Sequence, residues 1–209
     1  MVLIGASKNK APLMRGFFLY NISVKIKDGL IEGVRFIQSP NCDARPNHCE
    51  PSLIVIHCIS LPPGLYGGSY VTQLFTNTLN PDEHPYFQEI YNLQVSAHIF
   101  IRRDGDILQY VPFHERAWHA GESNFDGRQN CNDFSIGIEL EGTDSTEYEL
   151  KQYKVLAEII CLLFGSYKDL SANKIVGHQD ISQGRKTDPG QCFNWEKLHS
   201  FINSQKDVN

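Results

Sequence analysis

The sequence predicts a single α/β (α+β) domain with a mixed central β-sheet flanked by helices. Three observations predict it: a continuous apolar run typical of a buried strand, a strong hairpin pattern, and a long segment with helical periodicity. The 209 residues suffice for one domain with a sizeable core, and 41% hydrophobic with 21% charged residues is ordinary globular usage. The order of the elements along the chain does not give the order of the strands in the sheet.

The chain is expected to consist of an extension followed by one domain. Residues 1–23 begin with an apolar stretch that Lys8, Lys10 and Pro12 interrupt. A secretory signal instead places positive charge before an unbroken apolar run of about 7–15 residues. We therefore expect residues 1–23 to be an extension of unknown role, residues 24–209 to form the domain, and the protein to be cytoplasmic. Six cysteines without a Cys-x-x-Cys pair favour reduced thiols, which agrees with that location.

The first elements of the domain are predicted to lead into a buried strand. Residues 24–38 can form one or two strands around the turn Lys27-Asp28-Gly29, and residues 39–51, rich in Pro, Asn and Asp, predict an ordered surface loop. Residues 53–57 are continuously apolar and β-branched up to a final histidine, which is typical of a central strand covered on both faces. The Pro- and Gly-rich residues 60–69 predict an irregular loop.

A short helix, a loop and a hairpin should follow. Helical spacing begins at Tyr70, and residues 80–88 contain two prolines that predict another loop. Residues 97–101 and 107–111 are apolar and flank Asp104-Gly105-Asp106, a strong hairpin pattern.

Residues 134–141 alternate between apolar and other side chains, which predicts a strand. The period of two places Glu139 and Glu141 on the face opposite the apolar one. A second short apolar strand, Lys174-Ile175-Val176, should end just before His178.

Two helices are predicted in the C-terminal third of the chain. Thr146 and Glu149 have the spacing of a capping box, and apolar residues then recur at helical spacing over about 147–164. A last helix should cover about 194–203 and bury its apolar face.

Two histidines and one aspartate have the side-chain types of a catalytic zinc site. His57 ends the most hydrophobic strand, His178 follows a short apolar strand, and Asp188 precedes Pro-Gly. Two imidazoles and a carboxylate on separate elements leave the fourth zinc position to water, whereas structural sites usually close it with cysteine. We predict one zinc ion here, although each residue taken alone could be an ordinary strand-end or turn residue.

Amide hydrolysis at such a site needs a base, an acid and a group that stabilises negative charge. Glu139 is the predicted base because a carboxylate within a strand is held rigidly, and Glu141 on the same face is the alternative. Lys186, two residues before Asp188, can stabilise the tetrahedral oxyanion or assist proton delivery. These residues predict a zinc-dependent amide hydrolase.

Six motifs occur in an order that resembles a known family. They are His57-Cys-Ile-Ser-Leu-Pro-Pro-Gly, Ser96-Ala-His98, Arg102-Arg-Asp-Gly-Asp, Ala117-Trp-His119-Ala-Gly, Cys131-Asn-Asp-Phe-Ser-Ile-Gly-Ile-Glu139-Leu-Glu-Gly and Gly177-His178 with Arg185-Lys-Thr-Asp188-Pro-Gly. The set resembles the AmpD-type 1,6-anhydro-N-acetylmuramyl-L-alanine amidases, within the wider N-acetylmuramoyl-L-alanine amidase and peptidoglycan-recognition fold, over about residues 28–197.

The resemblance implies a cytosolic enzyme of peptidoglycan recycling. Such enzymes hydrolyse the amide between the lactyl group of anhydro-N-acetylmuramic acid and L-alanine of the stem peptide. It implies that His57, His178 and Asp188 bind zinc and that Glu139 and Lys186 serve the hydrolysis, in agreement with the chemistry above.

The resemblance also implies residues near a muropeptide substrate. His98, Trp118 and His119 match family positions close to the cleft, although Trp118 could equally be a core aromatic. Arg185 could grip a stem-peptide carboxylate, since a guanidinium suits bidentate binding, with a solvated arginine as the alternative.

Three positions depart from the family pattern. Cys58 stands where asparagine usually follows the first zinc histidine, and Gln94 and Asn130 stand where the family usually has basic residues. These departures concern peptide affinity and the preferred third stem residue, and they leave the zinc ligands unchanged.

Two other functions use the same fold. A peptidoglycan-recognition module keeps the groove but lacks catalysis, usually because one zinc ligand is replaced. All three predicted ligands are present here. A secreted amidase acting on intact murein would need export. The net charge of −5, without a block of basic residues, argues against a nucleic-acid partner, and no apolar run reaches the roughly 18 residues of a membrane span. No obligatory protein partner is evident.

Overall fold

The computed structural model describes residues 24–206, so the expected extension over residues 1–23 lies outside the described residues. Over that part of the chain there are twelve strands: β1 (Ile26–Lys27), β2 (Leu30–Ile31), β3 (Arg35–Phe36), β4 (Cys42–Ala44), β5 (Leu53–Ile59), β6 (Ile99–Ile101), β7 (Ile107–Gln109), β8 (Glu115–Ala117), β9 (Asn124–Phe125), β10 (Arg128–Gln129), β11 (Ser135–Glu141) and β12 (Ile175–Gly177). The same part contains five α-helices: α1 (Tyr70–Phe75), α2 (Phe87–Ile90), α3 (Leu150–Ser166), α4 (His178–Ile181) and α5 (Trp195–Lys206).

A six-stranded mixed sheet forms the centre of the fold. Its strand order is β12-β5-β11-β6-β7-β3, in which β12, β5, β11 and β6 run parallel and β7 is antiparallel to β6. Strand β3 pairs in parallel with β7 at the far edge. The predicted fold class, a mixed sheet flanked by helices, is confirmed.

The two central strands, β5 and β11, have different partners on their two faces. Side chains at alternate positions, such as Ile56 and Ile138, are buried in the core cluster that includes Leu156 of α3 and Leu198 of α5. The opposite face contains His57 and Glu139, which are themselves 1% and 8% exposed. The sequence pattern thus separates a packing face from a chemical face, and both are buried.

Helix α3 begins later than the sequence predicts. Glu149 has extended backbone geometry and is the N-cap, and its N–H donates to Oε1 of Gln152 at 3.0 Å. The predicted cap residue Thr146 instead accepts a hydrogen bond from the Thr143 hydroxyl. The capping-box prediction at Thr146 is wrong because the extended conformation of Glu149 delays the first helical residue to Leu150.

The hairpin prediction is confirmed, whereas two predicted loops contain short elements. Strands β6 and β7 pair around Gly105, whose φ of +86° suits a residue without Cβ. The loop predicted over residues 39–51 contains β4, which pairs with the distant β8, and the loop over residues 80–88 reaches into α2. Elements this short have no readable periodicity.

Helix α5 covers the predicted region and extends to Lys206. Within the described residues, no helix combines the length and the apolar character needed to cross a bilayer.

Candidate metal centre

Three neighbouring parallel strands bring the predicted site residues together. In the register of β5 and β11, His57 pairs with Glu139, so their side chains emerge side by side on the same face. Strand β12 pairs with the other edge of β5 and ends at Gly177, so that His178 begins helix α4 at the same end of the sheet. Residues far apart in sequence therefore meet at the carboxyl ends of parallel strands, where α/β proteins commonly bind ligands.

The three predicted ligands converge on one point. Nδ1 of His57 lies 3.0 Å from Nδ1 of His178, and each of these nitrogens lies 3.1 Å from Oδ2 of Asp188. Within residues 24–206, His57, His178 and Asp188 form the group of histidine, cysteine or acidic side chains that lie close enough together to hold a metal ion. Bond lengths of about 2.0–2.1 Å around tetrahedral zinc separate neighbouring ligand atoms by roughly 3.3 Å, so the triangle fits this ion after small adjustments.

The outer nitrogen of each histidine is occupied by the protein. Nε2 of His178 lies 3.0 Å from the Ala120 carbonyl, which can only accept, so this nitrogen carries the hydrogen. Nε2 of His57 lies 2.9 Å from Nδ1 of His119. Burial lowers the pKa of His57 to about 4, so its ring is neutral at pH 7, the form that binds metals. Two ring nitrogens and a carboxylate oxygen thus face one another, and a cation would satisfy all three.

Glu139 is a buried carboxyl group beside this triangle. Its Oε2 has no hydrogen-bond partner among the described residues. Burial raises the pKa of Glu139 well above its ordinary value, the nearby charge of Asp188 raises it further, and Lys186 acts in the opposite direction. A carboxyl group with a raised pKa is suited to exchanging protons near neutral pH.

Glu141, the alternative base, is fully engaged elsewhere. Its Oε1 accepts the Gly67 N–H at 2.6 Å, and its Oε2 accepts the Arg103 N–H at 3.0 Å. The side chain is 4% exposed and holds two loops against the end of β11. The geometry therefore favours Glu139 over Glu141 as the reacting carboxyl group.

A cleft of about 360 Å³ opens onto these residues. Its lining includes the polar groups His119, Glu139, His178, Lys186 and Asp188. It also includes the apolar side chains Leu61, Pro63, Leu74, Phe75, Tyr86, Ile90, Leu93 and Val95. A larger cleft of about 570 Å³ lies beside residues 38–51, but none of the predicted site residues lines it.

The structure separates the four predicted substrate-contacting residues. His119 lines the cleft, whereas His98 is fully buried and its Nδ1 accepts the Gly137 N–H at 3.0 Å. The indole N–H of Trp118 donates to Asp43 at 3.3 Å, outside the residues that line the cleft. Arg185 is exposed on a neighbouring groove, where its Nη2 donates to the Ala120 and Glu122 carbonyls.

Sequence reasoning did not identify two polar residues that contact the His119 segment. Ser135 Oγ lies 3.1 Å from Nε2 of His119, and Asn132 Oδ1 accepts the N–H groups of His119 and Ala120. The alternation in β11 already placed Ser135 on the face of Glu139, which could have drawn attention to it. Asn132 gave no such signal, because its position depends on a 3-10 turn over Cys131–Asp133.

The residues that depart from the family pattern lie at the surface or the cleft edge. Gln94 and Asn130 are exposed, and the Cys58 thiol lines the cleft and donates to Asp144 Oδ1 at 3.3 Å. Burial raises the pKa of this thiol, so it remains protonated. Cys42, Cys49, Cys58, Cys131 and Cys192 carry free thiols.

Comparisons with known proteins show which proteins this chain is similar to. The family model described as N-acetylmuramoyl-L-alanine amidase matches residues 47–191. The chain is 50% identical over 182 residues to the 1,6-anhydro-N-acetylmuramyl-L-alanine amidase AmpD of Enterobacter cloacae, covering 87% of this chain and 97% of that protein.

Two solved structures extend the comparison. The crystal structure of a selenomethionine AmpD derivative has a TM-score of 0.83 and 50% identity, and the match covers 85% of this chain and 98% of that one. The amidase AmiD of E. coli, solved with anhydro-N-acetylmuramic acid-L-Ala-D-gamma-Glu-L-Lys, has a TM-score of 0.53 and 27% identity, covering 85% of this chain and 65% of that one.

Proposed function

Because the chain belongs to the N-acetylmuramoyl-L-alanine amidase family, we propose that it is a zinc-dependent hydrolase of anhydromuropeptides. The proposed reaction cleaves the amide between the lactyl group of 1,6-anhydro-N-acetylmuramic acid and L-alanine of the stem peptide. The observation that carries the proposed zinc dependence is the triangle of three candidate ligand atoms, 3.0–3.1 Å apart, in His57, His178 and Asp188.

His57, His178 and Asp188 are the proposed ligands of one zinc ion. Their chemistry fits zinc, since two neutral imidazoles and one carboxylate form a common catalytic ligand set. When bound, the ion supplies Lewis acidity toward the amide carbonyl and lowers the pKa of a water molecule. These three residues would hold the ion beside the cleft that Glu139 and Lys186 line.

Glu139 is the proposed proton carrier. Its unpartnered Oε2 can accept the proton of the attacking water, and the raised pKa allows the carboxyl group to retain that proton. The same group can then give the proton to the leaving nitrogen of L-alanine. Glu139 is buried and pairs with His57 in the strand register, so bulk water does not compete for its carboxyl group.

Lys186 is the proposed electrostatic partner of the tetrahedral oxyanion. It lines the cleft with Glu139, and its backbone N–H donates to the Ser182 carbonyl at 3.1 Å, which ties its loop to the end of α4. Its ammonium group would stabilise the negative charge that develops on the former carbonyl oxygen.

The substrate class follows from the relatives. The names of the similar AmpD enzymes specify 1,6-anhydro-N-acetylmuramyl-L-alanine, and the related AmiD was solved with an anhydromuramyl tripeptide. We propose that the cleft binds the same chemical class and that Arg185 binds a stem-peptide carboxylate. His98 is fully buried and the single indole N–H of Trp118 is used on Asp43, so neither is included among the proposed substrate contacts. Arg185 is exposed, and its guanidinium has five N–H donors.

The location and domain limits complete the proposal. We place the reaction in cytoplasmic peptidoglycan recycling, with residues 24–209 as the amidase domain and residues 1–23 as an extension. The match of 182 residues to 97% of the AmpD of Enterobacter cloacae supports one catalytic domain. Cell fractionation with an antibody to the protein tests the location.

Mass spectrometry of purified protein incubated with anhydromuramyl-tripeptide, with and without a zinc chelator, tests the reaction. The expected result is release of free tripeptide and anhydro sugar that stops on chelation and returns when zinc is added. Intact substrate in the presence of bound zinc would refute the proposed substrate. Binding without cleavage would indicate a recognition module instead.

A further inference from the structure

A chain of hydrogen bonds runs from His57 away from the cleft and ends on the backbone. Nε2 of His57 meets Nδ1 of His119 at 2.9 Å, and Nε2 of His119 meets Ser135 Oγ at 3.1 Å. The Ser135 hydroxyl in turn lies 2.6 Å from the Cys131 carbonyl. These groups are 9% exposed or less, so solvent offers them few alternative partners.

The last member of the chain fixes the direction of the others. A backbone carbonyl only accepts, so the Ser135 hydroxyl donates its one hydrogen to Cys131 and accepts from Nε2 of His119. A neutral imidazole carries one hydrogen, so Nδ1 of His119 is an acceptor. It therefore accepts from Nε2 of His57, which leaves Nδ1 of His57 unprotonated and directed at His178 and Asp188.

Ala120, which follows His119, fixes the hydrogen position of His178 in the same way. The Ala120 carbonyl accepts from Nε2 of His178 at 3.0 Å, which leaves Nδ1 of His178 unprotonated as well. A two-residue segment, His119-Ala120, thus sets the hydrogen positions of both histidines. Asn132 holds this segment, because its Oδ1 accepts both backbone N–H groups at 3.1 and 2.8 Å.

Gly137 makes room for the His119 ring. A Cβ atom at this position would lie 2.4 Å from Cγ of His119, closer than real contacts allow. The absence of a Cβ at this position of β11 therefore leaves room for the imidazole where it contacts both Ser135 and His57. Any side chain here would displace the ring from one partner or the other.

We propose that His119, with Ser135 and Asn132, is a positioning group that fixes the tautomers of the two metal-binding histidines before the metal arrives. This inference rests on the proposed function for the identity of the metal as zinc. It assigns His119 a role through His57 instead of a direct contact with the substrate, since both ring nitrogens are used within the protein. Outer partners of this kind typically change metal affinity by about 10–100-fold when removed.

Long-range ¹H–¹⁵N correlation spectra of the histidine rings, recorded on metal-free protein, test the tautomers directly. The expected wild-type pattern has a protonated Nε2 and an unprotonated Nδ1 for both His57 and His178. In His119→Leu the His57 pattern should become a mixture, and the zinc affinity measured by chelator competition should fall about 10–100-fold. His119→Gln keeps a side-chain oxygen that can accept from His57, so it should recover most of that affinity and the wild-type pattern.

Ser135→Ala and Ser39→Ala form a matched pair of variants. Both serines are fully buried and donate to a backbone carbonyl, Cys131 for Ser135 and Phe75 for Ser39, but only Ser135 contacts His119. Ser135→Ala should weaken zinc binding, whereas Ser39→Ala should lower the melting temperature without changing zinc affinity or the ring spectra. This pair separates positioning from a general loss of stability.

The proposal is overturned if wild-type His57 carries its hydrogen on Nδ1, or if His119→Leu leaves zinc affinity and the His57 spectrum unchanged. The ring spectra and the zinc affinity are both measured without muropeptide. A failure to cleave the substrate would therefore count against the proposed function alone. A folded wild-type protein with no measurable zinc affinity would overturn both proposals.

Discussion

Replacing Glu139 by glutamine should lower the reaction rate and raise the stability of the metal-free protein. The amide has nearly the same shape as the carboxyl group but cannot accept the proton of the attacking water. Loss of a positioned general base typically costs about 10²–10⁴-fold in rate. Zinc should remain bound at one equivalent, because Glu139 is not one of the three proposed ligands, His57, His178 and Asp188.

The gain in stability follows from burial. The pKa of Glu139 is raised in the folded protein by burial, so the folded state binds the proton more tightly than the unfolded state does. The wild-type protein therefore loses stability as the pH rises above the ordinary glutamate pKa and through the folded pKa. Glutamine has no charge to bury, so its advantage over glutamate should be absent below about pH 4 and should grow toward pH 8.

The magnitude can be bounded from general values. A pKa that is higher by one corresponds to about 1.4 kcal/mol, and 1 kcal/mol shifts the melting temperature of a chain this size by about 2–4 °C. We expect chelator-treated Glu139→Gln to melt at a higher temperature than the wild type at pH 8, and to melt at the same temperature near pH 4.

Thermal melts across this pH range and single-turnover cleavage of anhydromuramyl-tripeptide measure the two effects. Glu141→Gln is the control, since Glu141 accepts two backbone N–H groups and does not line the cleft. That variant should lose stability and keep most of its activity. Full activity in Glu139→Gln, or lower stability at pH 8 than the wild type, would refute this account of Glu139.

Three further predictions test other parts of the structure. His178→Ala should lose zinc and activity together, because two remaining ligands hold the ion poorly; normal zinc content by atomic absorption with normal turnover would show that the ligand assignment is wrong. Lys186→Met should keep zinc but lose about 10²–10³ in rate, and an unchanged kcat would remove the lysine from the mechanism. Arg45→Met should lower the free energy of unfolding by about 3 kcal/mol or more in urea titrations, since the buried guanidinium donates to the carbonyls of Phe113, Asn132, Asp133 and Ser135; a change below about 1 kcal/mol would contradict this.

The main elements of the fold could be predicted because their patterns are local. The apolar run that became β5, the alternation in β11 and the Asp-Gly turn between β6 and β7 each leave a readable period or turn type. The pairing of β4 with β8 could not be predicted, since each strand has three residues and their partners are distant in sequence. The start of α3 could not be predicted, because Thr146 and Glu149 both have side chains that can cap a helix. Only the backbone conformation decides between them.

The candidate site shows the same division. The chemistry of His57, His178 and Asp188 could be inferred from residue type, and the face of Glu139 followed from the alternation in its strand. The surroundings of His119 could not be inferred, because they depend on three segments meeting at Gly137, Ser135 and Ala120. The sequence predicts His119 as a substrate contact, whereas in the structure both of its ring nitrogens are hydrogen-bonded within the protein.

The spacing of the converging residues along the chain also orders events during synthesis. His57 lies 121 residues before His178 and 131 before Asp188, so the triangle closes only after nearly the whole domain has left the ribosome. Until then His57 emerges on a strand whose neighbours, β11 and β12, have yet to be made. A chain that ends before Asp188 consequently lacks one of the three proposed metal ligands, so loading of the proposed zinc site requires the strands and loops that complete the central sheet.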